Sequence, residues 1–179
     1  MKLIILDRDG VINEDSDAFI KSPEEWIPIP GSLEAIVRLN HAGYQVAVAT
    51  NQSGLARGLF DQSTLQNIHK KFLHLLAEKG GEISMIHYCP HGPEDHCDCR
   101  KPRPGLLNII GKKMQIDLDD VPVVGDSLRD LQSAMAAGCK PILVRTGKGE
   151  QTLASGGLPD NTLIFTDLSA VADALCETE

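Results

Sequence analysis

The sequence predicts an α/β fold, a three-layer Rossmann-like arrangement in which helices cover both faces of a mainly parallel sheet. Three observations carry this expectation. Six short apolar runs, at 2–6, 45–50, 83–88, 121–125, 141–145 and 162–166, have the length and β-branched character of buried strands. The segments between them place apolar residues at helical spacing. The 179 residues, 42% hydrophobic and 23% charged, suffice for one packed core. Strand–helix alternation favours parallel pairing, because parallel neighbours need a long crossover and helices supply it.

The first run, Lys2-Leu3-Ile4-Ile5-Leu6, ends in Asp7-Arg8-Asp9-Gly10. Carboxylates at i and i+2 leave a strand on the same side. At the carboxyl end of a strand in an open sheet they would face a ligand crevice. Two such groups repel unless a cation or a shared proton relieves them. Arg8, between them, is expected to point away from that crevice, as a loop or surface residue. Residues 13–30 then form a long loop with three prolines, in which Trp26 reads as a packing residue. Leu33, Ile36, Val37 and Asn40 mark one face of a first helix, with Gly43 past its end.

The second run leads into Thr50-Asn51-Gln52-Ser53-Gly54, whose hydroxyls and amides offer donors to an anion. Asp61 reads as the N-cap of a second helix carrying Leu65, Ile68, Phe72 and Leu75, ended by Gly80-Gly81. A second rich loop spans 89–104. Pro104 suits the first turn of a third helix with Leu107, Ile110 and Met114. The fourth run ends in Gly125-Asp126-Ser127-Leu128-Arg129-Asp130. Leu128, Leu131 and Met135 mark the face of a fourth helix that closes at Gly138.

The net charge of −8 argues against nucleic-acid and membrane-surface partners, which reward clustered Lys and Arg. No apolar run approaches the roughly 18 residues of a membrane span, and the amino-terminal residues do not resemble a secretion signal. A cytoplasmic location is expected. The modest aromatic content and the lack of an apolar stripe point to a monomer. Five cysteines, an odd number, suggest metal ligation or free thiols rather than a disulfide framework. Cys89, Cys97 and Cys99 crowd together with His91 as C-x-H-x5-C-x-C, a closed tetrahedral set for a structural Zn²⁺. His87 and His96 remain spare, and Cys139 and Cys176 read as inert thiols. Clamping Cys99 would fix the adjacent cations, Arg100 and Lys101.

The chain therefore presents, in order, a carboxylate pair, a hydroxyl, a lysine and a second acidic pair, each at the edge of a strand or helix. This series resembles the haloacid-dehalogenase phosphohydrolase superfamily over nearly the whole length. The resemblance implies a haloacid-dehalogenase fold without a large cap domain, residues 1–179 forming one domain with a zinc loop at 89–99. It implies Asp7 as nucleophile, Asp9 as general acid and base, and Thr50 and Lys101 as stabilisers of the transferring phosphoryl group. Mg²⁺ would bind Asp7, Asp126 and the backbone carbonyl of Asp9, while Asp130 holds Lys101. Cys89-Pro90-His91 with Cys97-Asp98-Cys99-Arg100-Lys101-Pro102 resembles the histidinol-phosphatase-related branch. Within it, Thr50-Asn51-Gln52-Ser53-Gly54-Leu55-Ala56-Arg57-Gly58 is similar to the heptose-bisphosphate phosphatases. That likeness implies a small sugar bisphosphate as substrate, used in nucleotide-activated heptose and lipopolysaccharide precursor synthesis. Asp15, Ser16, Asp17 and Ala18 match the branch's substrate-contacting loop in position. Thr50, Asn51, Gln52, Ser53 and Lys101 would also contact substrate, and Arg57 and Arg100 suit a second phosphate. A histidinol-phosphate phosphatase is the alternative, and a zinc-organised binding module without catalysis the remote one.

Overall fold

The computed structural model describes residues 1–177. Six strands form one sheet in the order β3-β2-β1-β4-β5-β6, every neighbouring pair parallel. They are β1 (Lys2–Leu6), β2 (Tyr44–Asn51), β3 (Met85–Cys89), β4 (Pro122–Gly125), β5 (Lys140–Val144) and β6 (Leu163–Phe165). All six apolar runs are strands, displaced by no more than two residues at either end. Six helices connect and cover them: α1 (Ser32–His41), α2 (Gln62–Glu78), α3 (Gly105–Met114), α4 (Leu128–Ala136), α5 (Gly149–Ser155) and α6 (Leu168–Cys176).

Side-chain alternation divides the core into two layers. Ile4, Leu6, Val46 and Val48 pack with Ile36, Phe72, Leu168 and Val171 on one face. Leu3, Ile5, Ala47 and Ala49 pack with Leu106, Leu107, Ile110 and Ala134 on the other. A strand inside such a sheet is buried on both faces, so it reads as a continuous apolar run. Trp26 fits the packing role expected of it: it is fully buried, its ring centroid 5.3 Å from that of Phe72. Lys71 Nζ ties the loop down by donating to the carbonyls of Pro23 (2.7 Å) and Trp26 (2.8 Å).

Several local expectations change. Pro104 is the residue before α3 rather than within its first turn. On α2 the fully buried position is Leu76, with Leu75 partly covered. The buried face of α4 is Asp130, Leu131, Ser133 and Ala134, and Met135 is exposed. This helix turns a carboxylate inward because Asp130 serves both the helix cap and the site. Arg8 is fully buried rather than at the surface.

The sheet order reverses about β1, whose neighbours are β2 and β4. Ligands of open α/β sheets bind outside the carboxyl ends of strands at such a switch point. Here β1 delivers Asp7, β2 delivers Thr50 and β4 delivers Asp126 to one edge, the Asp7 amide bonding to the Val124 carbonyl at 2.9 Å.

Candidate active site

Ligand oxygens of Asp7, Asp126 and Asp130 lie within 4.8 Å of one another at this edge. Burial, followed by the nearby Asp130, pushes the Asp7 carboxyl well above the usual range, against the pull of Lys101. Burial and Asp130 likewise push Asp126 up to about 8. Asp130 goes the other way. Its burial would raise it, but the Lys101 ammonium and hydrogen bonds from Lys101 and Ser127 outweigh this and hold it down. The cluster thus carries more carboxylate than its own cations satisfy.

The oxygens of these groups are not equivalent. Asp130 Oδ1 accepts from Lys101 Nζ at 2.8 Å. Its Oδ2 accepts from the amides of Asp126 and Ser127 and from Ser127 Oγ, completing a capping box on α4. With both oxygens occupied, Asp130 is a support for Lys101. Asp7 Oδ1 accepts from the Arg8 amide (2.9 Å) and lies 3.2 Å from Lys101 Nζ. Its Oδ2 has no hydrogen-bond partner among the described residues. Asp126 Oδ2 accepts from the Lys148 amide at 2.9 Å. A side chain on Gly10 or Gly147 would collide with that same oxygen, so both glycines leave room for the carboxylate. Hard oxygen donors, two with spare lone pairs and raised affinity for a positive partner, suit Mg²⁺.

Lys101 is 4% exposed, and its three ammonium protons face the Ala49 carbonyl (2.6 Å), Asp130 and Asp7. These acceptors overcome its burial, and its pKa rises. Asn51 grips the Lys101 backbone, its Oδ1 accepting the amide at 3.1 Å. Thr50 is fully buried; its Oγ1 accepts from Gln52 Nε2 at 2.9 Å and donates only a long contact, 3.4 Å, to the Asn51 carbonyl. Its proton is available to an anion in the cleft. Asp9 Oδ2 accepts from Gln52 Nε2 at 3.1 Å.

The cleft brings together Asp7, Asp9, Asp15, Ser16, Asp17, Thr50, Asn51, Gln52, Ser53, Arg100, Lys101 and Asp126. Ala18 and Arg57 are outside its wall. Arg57 is exposed, its Nε 3.4 Å from Ser53 Oγ and its guanidinium over the Phe19 ring at 5.5 Å. Sequence reasoning missed Phe19, Arg129 and Lys148, all part of the wall. Lys148 Nζ reaches Asp15 (3.6 Å) and Asp17 (3.9 Å), bridging the cleft to the 13–30 loop. Its signal was Gly147-Lys148-Gly149 directly after a strand. Arg100 and Arg129 pair with no carboxylate among the described residues. Burial, and then Arg129, push the Arg100 pKa down.

The ligand atoms of Cys89, His91, Cys97 and Cys99 also lie within 4.8 Å of one another. Cys89 Sγ is 3.6 Å from His91 Nδ1, 3.6 Å from Cys97 Sγ and 3.0 Å from Cys99 Sγ. Burial and the neighbouring Cys99 thiol push Cys89 up. Burial works against ionisation of Cys97, but the Arg100 amide and the neighbouring thiols outweigh it and pull it down to about 7. Three sulfurs and one imidazole converging in this way suit a tetrahedral Zn²⁺. Arg100 Nη1 donates to the His91 carbonyl at 3.3 Å, and Arg103 to that of Cys97, so the loop and the cationic wall are one unit.

A doubly wound parallel sheet bearing these stations at its switch point defines a class, and residues 98–171 match the HAD-hydrolase-like family model. The chain is 60% identical over 177 residues to a D-glycero-beta-D-manno-heptose-1,7-bisphosphate 7-phosphatase of Bordetella bronchiseptica, covering 99% of both sequences. It is 59% identical over 175 residues to the enzyme of that name from Pseudomonas putida, covering 98% and 99%. The crystal structure of the D,D-heptose 1,7-bisphosphate phosphatase of B. bronchiseptica, complexed with magnesium and phosphate, superposes with a TM-score of 0.99 at 60% identity and full coverage of both chains. That of the Burkholderia thailandensis protein gives 0.80 at 48% identity, also with full coverage. The chain belongs to the D-glycero-beta-D-manno-heptose-1,7-bisphosphate 7-phosphatase family of HAD-like hydrolases.

Proposed function

We propose that this protein is a Mg²⁺-dependent phosphoric monoester hydrolase that removes the C7 phosphate of D-glycero-D-manno-heptose 1,7-bisphosphate through an aspartyl-phosphate on Asp7. The observation that carries the reading is the Asp7 carboxylate: one oxygen is tied down beside a buried ammonium, the other free at the cleft. Asp7 Oδ2 attacks phosphorus and the bond to the leaving oxygen breaks. Asp9 gives its proton to that oxygen, then takes one from the water that releases phosphate from Asp7. Lys101 and the Thr50 hydroxyl offset charge on the phosphoryl oxygens. Asp7, Asp126 and the Asp9 carbonyl would hold Mg²⁺, which when bound neutralises phosphoryl charge.

Arg100 and Arg129, cations on the cleft wall without a carboxylate partner, suit the second phosphate. Zn²⁺ on Cys89, His91, Cys97 and Cys99 would fix the loop that carries Arg100 and Lys101. The chain would act as a single-domain monomer on a small molecule in the cytoplasm, without nucleic-acid or membrane partners. No helix among the described residues is long and apolar enough to cross a membrane. Such an activity would serve nucleotide-activated heptose synthesis for lipopolysaccharide.

The test is Mg²⁺-dependent phosphate release from both anomers of the heptose bisphosphate, beside histidinol phosphate. A preference of two decades in kcat/KM for a heptose anomer, about 2.7 kcal/mol, supports the reading. Preference for histidinol phosphate would keep the mechanism and overturn the substrate. Asp7→Asn should form no phosphoenzyme.

A further inference from the structure

Arg8 stands between the two aspartates of the first motif, yet its side chain is fully buried and lies outside the cleft wall. A guanidinium is always charged and only donates. Buried, it needs acceptors, and they come from three parts of the chain. Nε and Nη2 both donate to Asp9 Oδ1, at 3.0 and 2.8 Å. Nη2 also faces Gln52 Oε1 at 3.4 Å. Nη1 lies 3.2 Å from His69 Nε2 on α2, the one acceptor it has among the described residues. His69 must therefore be neutral, with its proton on Nδ1. Burial, and then the Arg8 cation, hold its pKa down at about 4.

The effect on Asp9 is asymmetric. Oδ1 receives three donors, two from Arg8 and one from Asn13 Nδ2 at 2.9 Å. Oδ2 receives only Gln52 Nε2 at 3.1 Å. The saturated oxygen has no capacity for a proton. We infer that His69, through Arg8, is a positioning residue that locks Asp9 Oδ1 inward and leaves Oδ2 as the oxygen that gives and takes the catalytic proton. This rests on the reading of Asp9 as general acid and base. In the first step the proton on Asp9 Oδ2 passes to the leaving oxygen as its bond to phosphorus breaks and the bond to Asp7 forms. In the second, water attacks phosphorus, its proton returns to Oδ2 and the bond to Asp7 breaks. An apolar residue at 69 would leave Nη1 buried without an acceptor, and the guanidinium could meet that need only by turning away from Asp9.

The experiment compares His69→Phe, which lacks the acceptor, with His69→Gln, whose carbonyl oxygen reaches the place of Nε2. His69→Asn, polar but too short to reach Arg8, replaces the Phe variant if that does not fold. Turnover of the heptose bisphosphate is measured beside the first-turnover burst from p-nitrophenyl phosphate, whose leaving group needs no proton. With His69→Phe, kcat for the sugar substrate should fall about 10- to 100-fold, part of what a general acid contributes, with KM changed by no more than about threefold. The p-nitrophenolate burst should stay within about threefold of the parent, and His69→Gln should restore sugar turnover to the same margin. An unchanged kcat, a Gln variant no better than Phe, or a burst that falls as far as sugar turnover would overturn the inference. Asp9→Asn is run alongside. If it too leaves sugar turnover unchanged, the acid–base reading has failed; if it abolishes turnover while His69→Phe does nothing, only the role of His69 has.

Discussion

Replacing Lys101 by methionine keeps most of the side-chain volume and removes the buried charge. The ammonium has three acceptors, the Ala49 carbonyl at 2.6 Å, Asp130 Oδ1 at 2.8 Å and Asp7 Oδ1 at 3.2 Å, and both carboxylates are themselves covered. Breaking a buried pair by removing one partner costs about 3–5 kcal/mol, because the other charge is left in a poorly solvating place. With a urea m-value of about 2 kcal/mol per molar for a chain of this size, the midpoint should drop by roughly 2 M. The loss depends on pH. In the parent, Asp130 is held below its ordinary value, so its contribution is present at neutral pH and lost as pH falls through its folded pKa. Without Lys101 its burial goes uncompensated and its pKa rises. The folded variant then gains protons more readily than the unfolded chain, and its deficit should narrow from pH 8 toward pH 5. Urea titrations of Lys101→Met, Asp130→Asn and the double variant form a cycle that isolates the pair. The double variant should recover at least about 1.5 kcal/mol relative to the sum of the singles, without regaining activity. A Lys101→Met protein within about 1 kcal/mol of the parent, or strictly additive losses, would refute the buried-pair argument.

Three further outcomes follow from the same geometry. Gly147→Ala puts a methyl onto Asp126 Oδ2 at a backbone φ of +57°, so phosphatase activity should fall at least about 100-fold and stability by about 2 kcal/mol; an active, stable variant in a phosphate-release assay would contradict the cradle around Asp126. Removing the Zn²⁺ proposed for the Cys89, His91, Cys97 and Cys99 cluster with a chelator, or Cys99→Ala, should free the loop bearing Arg100 and Lys101 and lower kcat by about tenfold or more, whereas full activity in a protein shown zinc-free by metal analysis would separate the loop from catalysis. Because His69 is held down at about 4, only the unfolded chain takes its proton below about pH 6.5, so the parent loses up to about 3 kcal/mol between pH 6.5 and 4; His69→Gln should show a flatter urea midpoint over this range, and an equal slope would show that His69 does not carry it.

Much of the site was legible in the linear chain. Strands of a parallel sheet are apolar on both sides, so β1 and β4 stand out, and the polar residues that end them must lie at the carboxyl edge. That places Asp7, Asp9, Thr50 and Asp126 at one edge, and the resemblance of their order to the haloacid-dehalogenase series implies their roles. The Cys–His spacing was equally direct, since four ligands within a short loop need only local folding to converge. Two helices were not evident. In α5 only Gly149 is buried, so it has no apolar face, and α6 is built largely of small residues behind the Asp167 cap.

The sequence by itself determined the sheet, four of its covering helices, the order of the chemical stations and the two clusters whose residues suit metal ions, because each depends on local period, residue chemistry and the rule that parallel strands end together. Only the tertiary structure decided how the charges are balanced. Arg8 reads as an ordinary loop cation until Gln52 and His69, 44 and 61 residues away, close around it. The same holds for Asp7 Oδ2 staying free while both oxygens of Asp130 are occupied, for Arg57 lying outside the cleft, and for Arg129 and Lys148 lining it. A buried charge is tolerable only where partners from distant segments meet it, and those meetings are properties of the packed chain.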